Sequence, residues 1–154
     1  MFKLLLDNEL TVTALSNSDL KILDVGCGTG IWAVDTGDKY QSATIVGVDE
    51  SPIQPHWVPP NVQFEIDDVT KPWLYTDSSF DFVHIRQMAG MISDWPKLLQ
   101  EAFRVLKPGG RIEVSDVHII FEHQDGTLCD DSAAIEWNRH FYVIASVAED
   151  WRLA

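Results

Sequence analysis

The sequence predicts an α/β protein built on a doubly wound parallel sheet. Short apolar runs recur along the 154 residues, as expected for parallel strands that are buried on both faces. These runs span residues 21–25, 43–49, 61–66, 79–85 and 111–117. Strands alternate with helical patterns, and a glycine-rich turn directly follows the first strand, as in nucleotide-binding βαβ units. A chain of this length is expected to form one domain, residues 1–154.

The first two thirds of the chain contain three predicted helices and one irregular crossover. Leucines at positions 4, 5, 6, 10 and 15 predict an amphipathic helix over residues 1–15, followed by a turn up to residue 19. Apolar periodicity predicts further helices over 31–40 and 95–105. Four prolines occur between residues 51 and 60, so the crossover after the second strand cannot be a regular helix.

The last third of the chain begins with a strong helix stop. The sequence Lys-Pro-Gly-Gly at 107–110 ends the preceding helix, and the fifth strand at 111–117 completes a core that spans residues 20–117. A final helix is predicted over 131–148, with Asp131 or Ser132 as its N-terminal cap.

The turn after the first strand carries the most specific motif. Its pattern, Asp-x-Gly-x-Gly-x-Gly, is formed by Asp24, Gly26, Gly28 and Gly30. A dinucleotide-binding turn would require glycine at position 31, where Ile31 stands. An acidic strand tip would repel a pyrophosphate, but it suits the positive sulfonium and ammonium groups of S-adenosylmethionine. The motif therefore predicts an S-adenosylmethionine site in a Rossmann-like fold.

Further candidate ligands stand at the carboxyl ends of the other strands, where doubly wound sheets bind ligands. Asp49 is placed to accept hydrogen bonds from both ribose hydroxyls. Asp67 or Asp68 is placed to accept from the adenine amino group, with the backbone N–H of Val69 directed at a ring nitrogen. Arg86 has three open interpretations: it contacts the methionine carboxylate, pairs with a neighbouring acid, or faces solvent.

The sequence does not identify a catalytic residue. The segment after the fourth strand, residues 87–91, reads Gln-Met-Ala-Gly-Met and contains no titratable group. His84 lies inside the fourth strand and is interpreted as structural. A general base is required only when the methyl acceptor is a hydroxyl or a protonated amine.

Composition excludes several partners. The net charge of −13 disfavours a nucleic-acid substrate. No apolar run is long enough to cross a membrane. Cys27 and Cys129 lack metal-ligand spacing, so we expect free thiols and no metal site. We expect a cytoplasmic location, with the nucleus as the alternative.

Beyond the glycine motif, the chain resembles the fungal LaeA-like branch of class I S-adenosylmethionine-dependent methyltransferases. The resemblance rests on ILDVGCGTGIWAVD, VGVDESPIQPHWVPPNVQFEIDD, SFDFVHIRQMAGMISDWPKLLQEAFRVLKPGGRIEVSD and DGTLCDDSAAIEW. It covers residues 20–136, and its segment at 51–61 is highly specific. The resemblance implies that the cofactor residues are Asp24, Gly26, Gly28, Gly30, Asp49, Ser51 and Asp68.

The resemblance also implies an activity. We expect a methyltransferase that acts on a small molecule of fungal secondary metabolism. The alternative is a non-catalytic, shortened paralogue that binds S-adenosylmethionine and acts through protein partners. We further expect the chain to contain strands 1–5 of the class I core without the usual sixth and seventh strands. The fifth strand would then be an exposed edge for a partner or a second copy to cover.

Overall fold

Five parallel strands form one sheet in the computed structural model of this chain, which describes residues 6, 9–16, 18–116, 132–137 and 139. The strands are β1 (Lys21–Val25), β2 (Thr44–Asp49), β3 (Val62–Ile66), β4 (Phe80–Arg86) and β5 (Leu106–Ser115). The helices between the strands are α1 (Ile31–Lys39) and α2 (Trp95–Val105). The strand order is β3-β2-β1-β4-β5, which confirms the predicted doubly wound sheet.

The topological switch point lies at β1. This strand pairs with β2 on one side and with β4 on the other, so the chain reverses its direction of winding there. All strands are parallel, and their carboxyl ends therefore meet along one edge of the sheet. Ligands of doubly wound folds bind at this edge, beside the switch point.

Apolar layers cover both faces of the sheet, as the uniformly apolar strands predict. On one face, Trp32 and Ala33 of α1 pack against strand residues. These strand residues are Ile22, Ile45, Val62 and Phe82. On the other face, α2 contributes Leu98, Ala102 and Val105, which pack against a second set. That set comprises Leu23, Val25, Val46, Val48, Val83 and Ile85.

The predicted N-terminal helix is wrong over residues 9–16, which are described and are not helical. Backbone N–H groups in this segment bond to a distant side chain instead of closing helical turns. Those of Val12 and Thr13 donate to the Glu113 carboxylate at 3.2 and 2.8 Å. The Leu10 carbonyl accepts from the Trp32 indole at 2.8 Å. Most of residues 1–8 lie outside the described part of the chain.

Two crossovers have no helix. The proline-rich segment 50–61 is irregular, as predicted. Residues 67–79, between β3 and β4, also contain no helix, so the expectation that helices alternate with every strand is wrong there. Side-chain bonds from α2 hold this second crossover. The Arg104 guanidinium donates to the carbonyls of Trp73 and Tyr75 and to the Asp77 carboxylate.

The fifth strand starts earlier than residue 111. Phe80 pairs with Leu106 and Phe82 with Arg111, so residues 107–110 form a bulge inside the strand. Gly109 in this bulge has a φ of 82°, which glycine adopts without strain. The Lys-Pro-Gly-Gly sequence thus ends the helix as predicted, but it also belongs to β5.

Only the start of the predicted C-terminal helix is described. The Ser132 hydroxyl accepts from the Ile135 N–H at 3.4 Å, and the Ser132 carbonyl accepts from the Glu136 N–H at 2.9 Å. Ser132 therefore takes the cap position, while Asp131 and most of 131–148 lie outside the described residues. The expectation about the sixth and seventh strands also concerns residues that are not described. The described helices include none that is long and apolar enough to span a membrane.

Candidate cofactor-binding site

A cleft of about 370 Å³ opens at the carboxyl ends of β1, β2 and β4, beside the switch point. This volume lies within the range typical of small-molecule sites. Eight of the ten predicted site residues line it: Asp24, Gly26, Gly28, Asp49, Ser51, Asp68, Val69 and Arg86. Gly30 and Asp67 do not line the cleft.

The three glycines of the turn have positive φ angles but different surroundings. A Cβ on Gly26 would lie 2.2 Å from Met88 Sδ, and a Cβ on Gly30 would lie 2.3 Å from Phe64 Cζ. A Cβ on Gly28 would meet no atom of the described residues within 4 Å. Gly28 therefore presents bare backbone to the cleft, whereas Gly30 is explained by packing and by its place as the N-cap of α1.

Asp49 organises the mouth of the cleft from the end of β2. Its Oδ2 accepts from the Gly28 N–H at 2.8 Å, and its Oδ1 accepts from the Ser51 N–H at 2.9 Å. The glycine turn is also held by the Cys27 N–H, which donates to the Val48 carbonyl at 3.0 Å. Each Asp49 oxygen retains a lone pair, so the carboxylate can still accept from a ligand.

Gln54 supports the site, and the sequence alone does not predict this role. Its Nε2 donates to the carbonyls of Gly28 and Ser51 at 2.6 and 2.8 Å. The side chain thus ties the proline-rich segment to the glycine turn. A single amide between prolines carries no recognisable signal, because its partners are backbone carbonyls whose positions only the fold determines.

The structure separates Asp67 from Asp68. Asp68 lines the cleft, and its Oδ1 accepts from the Thr70 N–H and hydroxyl at 2.9 and 2.6 Å. The hydroxyl bond holds the pKa of Asp68 below its ordinary value, so the side chain is a carboxylate at neutral pH. Asp67 is exposed and accepts from the Asp68 N–H at 2.8 Å.

Asp24 is a buried acid at the base of the cleft. It is 2% exposed, and its Oδ1 accepts a hydrogen bond from His84 Nδ1 at 2.7 Å. Its Oδ2 is also buried and has no hydrogen-bond partner among the described residues. His84 is buried inside β4, which agrees with its interpretation as a structural residue. The sequence does not predict its pairing with Asp24.

The electrostatics of the cleft favour a cationic ligand. Its lining contains four acids and one arginine. The acids are Asp24, Asp49, Glu50 and Asp68. Burial, together with the neighbouring Asp24 and Asp49, raises the pKa of the Cys27 thiol to about 12. A ligand with phosphates would be repelled, whereas a sulfonium with an ammonium group fits both the acidic lining and the bare Gly28 backbone.

Comparison with known proteins decides the family. A family model described as a methyltransferase domain matches residues 1–152. The chain belongs to this methyltransferase-domain family. Its relatives are methyltransferases and LaeA-type regulators of fungal secondary metabolism, which confirms the LaeA-like resemblance.

Two relatives of this chain are longer proteins. The chain is 44% identical over 133 residues to methyltransferase pytC of Aspergillus terreus, and the match covers 86% of this chain and 41% of that protein. It is 38% identical over 123 residues to the protein-methionine methyltransferase laeA of Emericella nidulans, covering 79% and 32% respectively. The chain therefore spans less than half the length of these curated relatives.

The fold of the methyltransferase domain recurs in solved structures. An S-adenosylmethionine-dependent methyltransferase from Aquifex aeolicus superposes with a TM-score of 0.59 at 20% identity. The superposition covers 86% of this chain and 73% of the Aquifex chain. The described sheet thus has the same Rossmann-like fold as that methyltransferase.

Proposed function

We propose that this domain binds S-adenosylmethionine in the acidic cleft and transfers its methyl group to an acceptor. The observation that carries the proposal is the arrangement of Asp49 around the bare Gly28 backbone. The two backbone N–H groups fix the Asp49 carboxylate, and its remaining lone pairs are available to the two hydroxyls of a ribose. Family membership supports the same conclusion.

The other cleft residues have complementary roles in this proposal. Gly28 lets the ligand approach the backbone, Gly26 makes room for the Met88 side chain, and Asp24 faces the ammonium end of the cofactor. Asp68 accepts from the adenine amino group, and the Val69 N–H donates to a ring nitrogen. We assign Arg86 to the methionine carboxylate, because it ends β4 on the same cleft.

The cofactor supplies an electrophilic methyl group, and the protein supplies position. Rate enhancement comes mainly from holding the acceptor close to the methyl group and in line with it. The described lining of the cleft contains no histidine, and the Cys27 thiol stays protonated near neutral pH. An acceptor whose nucleophile has to lose a proton would need one of the four lining carboxylates as its base.

A small molecule of fungal secondary metabolism is our first candidate for the acceptor. One wall of the cleft is apolar and is formed by Met88, Met91 and Ile92, with Met91 strongly exposed. Such a wall suits an apolar metabolite. The net charge of −13 argues against RNA or DNA as the acceptor.

A protein acceptor is the second candidate. The laeA relative is named as a protein-methionine methyltransferase. A thioether has no proton to lose, so this acceptor would need no general base. A third alternative is a non-catalytic protein that binds the cofactor and acts through protein partners.

Methyl transfer from labelled S-adenosylmethionine separates these candidates. The chain is incubated with the labelled cofactor, a panel of fungal metabolites and a fungal protein extract, and label is then counted in organic-soluble and protein fractions. Label in metabolites supports the first candidate, and label in protein supports the second. Cofactor binding without label in either fraction indicates the non-catalytic alternative. Asp49→Ala serves as the negative control.

We also propose that β5 docks a second copy or a partner subunit. It is the outermost strand on its side of the described sheet. Light scattering gives the mass of the purified chain. A chain that is monomeric in this measurement and that binds no partner protein would contradict this proposal. For location we propose the cytoplasm, with the nucleus as the alternative, and imaging of a fluorescent fusion tests both.

A further inference from the structure

We propose that His84 is a positioning residue that holds Asp24 ready to accept a hydrogen bond from the cofactor's ammonium group. The inference rests on the proposed cofactor site and adds a buried residue that does not line the cleft. His84 would therefore determine how strongly the domain distinguishes ligands with an amino-acid group from those without one.

The pairing follows from strand register. Asp24 of β1 and His84 of β4 are direct partners in the parallel ladder. His84 Nδ1 lies 2.7 Å from Asp24 Oδ1, and because a carboxylate can only accept, Nδ1–H is the donor. His84 is 1% exposed and Asp24 is 2% exposed, so the bond between them is shielded from water.

The plane of the imidazole is itself fixed. The Trp32 ring stacks on it with a centroid distance of 3.7 Å and an interplanar angle of 6°. Trp32 is held in turn, because its indole Nε1 donates to the Leu10 carbonyl at 2.8 Å. The N-terminal segment, α1, β4 and β1 thus act together to give the Asp24 carboxylate one orientation.

The second oxygen of that carboxylate is what remains for a ligand. Asp24 Oδ2 is buried and has no partner among the described residues, although Asp24 lines the cleft. A buried acceptor without a donor is costly, and a cationic N–H donor relieves this cost best. The ammonium group of the cofactor provides such a donor, either directly or through one water molecule.

Two ligands isolate this contact. S-adenosylhomocysteine carries the amino-acid group, whereas 5′-methylthioadenosine keeps the nucleoside and the thioether but lacks that group. Calorimetry is used to measure both affinities for the wild-type chain, for His84→Phe and for His84→Asn. Phenylalanine keeps a flat ring beside Trp32 but has no donor. Asparagine restores an N–H donor near the position of Nδ1.

We expect His84→Phe to weaken S-adenosylhomocysteine binding ~tenfold or more, because Asp24 is then no longer held in position to accept the charged hydrogen bond from the ligand. We expect the same substitution to change the affinity for 5′-methylthioadenosine by less than about twofold. We expect His84→Asn to recover most of the wild-type difference in affinity between the two ligands. If His84→Phe loses equal affinity for both ligands, or loses affinity for neither, the positioning role is overturned. A wild-type chain that binds neither ligand would instead refute the proposed cofactor site.

A measurement on the wild-type chain covers the case in which His84→Phe does not fold. In protein labelled with ¹⁵N-histidine, the Nδ1–H proton of His84 reports the strength of its bond to Asp24. We expect S-adenosylhomocysteine to shift this resonance and 5′-methylthioadenosine to leave it nearly unchanged. The same resonance position in both complexes would overturn the inference.

Discussion

The Asp49 carboxylate accepts a hydrogen bond from the Gly28 backbone N–H at 2.8 Å, linking the end of β2 to the glycine turn after β1. Neighbouring parallel strands bring these two groups together although 21 positions separate them in the chain. The bond holds the turn and directs the carboxylate at the same time. Loss of Asp49 should therefore affect both the turn and the ligand.

Asp49→Ala is expected to weaken binding of S-adenosylhomocysteine at least tenfold, since charged hydrogen bonds contribute ~1.5–3 kcal/mol. Isothermal titration calorimetry measures this effect. Asp38→Ala is the matched control, because Asp38 is an exposed acid on α1 outside the cleft. Unchanged affinity in Asp49→Ala would exclude the ribose role.

Gly28→Ala is expected to lower both stability and ligand affinity. The left-handed backbone, with a φ of 54°, costs an alanine ~1–2 kcal/mol, and the added methyl group enters the cleft. Gly109→Ala has a similar backbone strain at a φ of 82° and also meets no atom of the described residues within 4 Å. Thermal unfolding should show comparable losses in both variants, but only Gly28→Ala should lose affinity. Equal affinities in the two variants would mean that Gly28 does not face the ligand.

Cys27 is expected to react slowly with thiol reagents. Its pKa of about 12 leaves little thiolate at pH 8, so alkylation should be at least about a hundredfold slower than for free cysteine. The rate should rise steadily as the pH approaches 12. Kinetics with iodoacetamide are measured in Cys129→Ser, which leaves one thiol. Because Cys27 lines the cleft, S-adenosylhomocysteine should slow the reaction further. A rate equal to that of free cysteine would contradict the raised pKa of the Cys27 thiol.

Glu101 should make stability depend on pH in the acid range. The Arg104 hydrogen bond holds the pKa of Glu101 below its ordinary value. Its contribution is therefore fully present above the ordinary carboxyl pKa and is lost as the pH falls through the lowered one. Glu101→Gln should reduce the free energy of unfolding by ~1 kcal/mol at pH 7 and by less at acid pH. Urea unfolding at several pH values tests this, and a pH-independent difference would contradict it.

The sheet and part of the cleft could be predicted because their signals are local. Apolar runs indicated all five strands, and the turn with Asp24 and Asp49 indicated where a ligand would lie. The bulge at 107–110 could not be predicted, because the same proline and glycines also end a helix.

The missed features depend on partners distant in sequence. Residues 9–16 are non-helical, and Glu113, about a hundred positions away, accepts the N–H groups of Val12 and Thr13. Gln54 supports the glycine turn through backbone carbonyls, and His84 pairs with Asp24 only through strand register. No local pattern specifies such pairings.

Calorimetric titration of S-adenosylmethionine and S-adenosylhomocysteine into the purified chain tests the central claim most directly. We predict that each ligand binds in a one-to-one complex and that the two compete for the same cleft. If neither ligand binds to a chain that circular dichroism shows to be folded, the cleft is not a cofactor site.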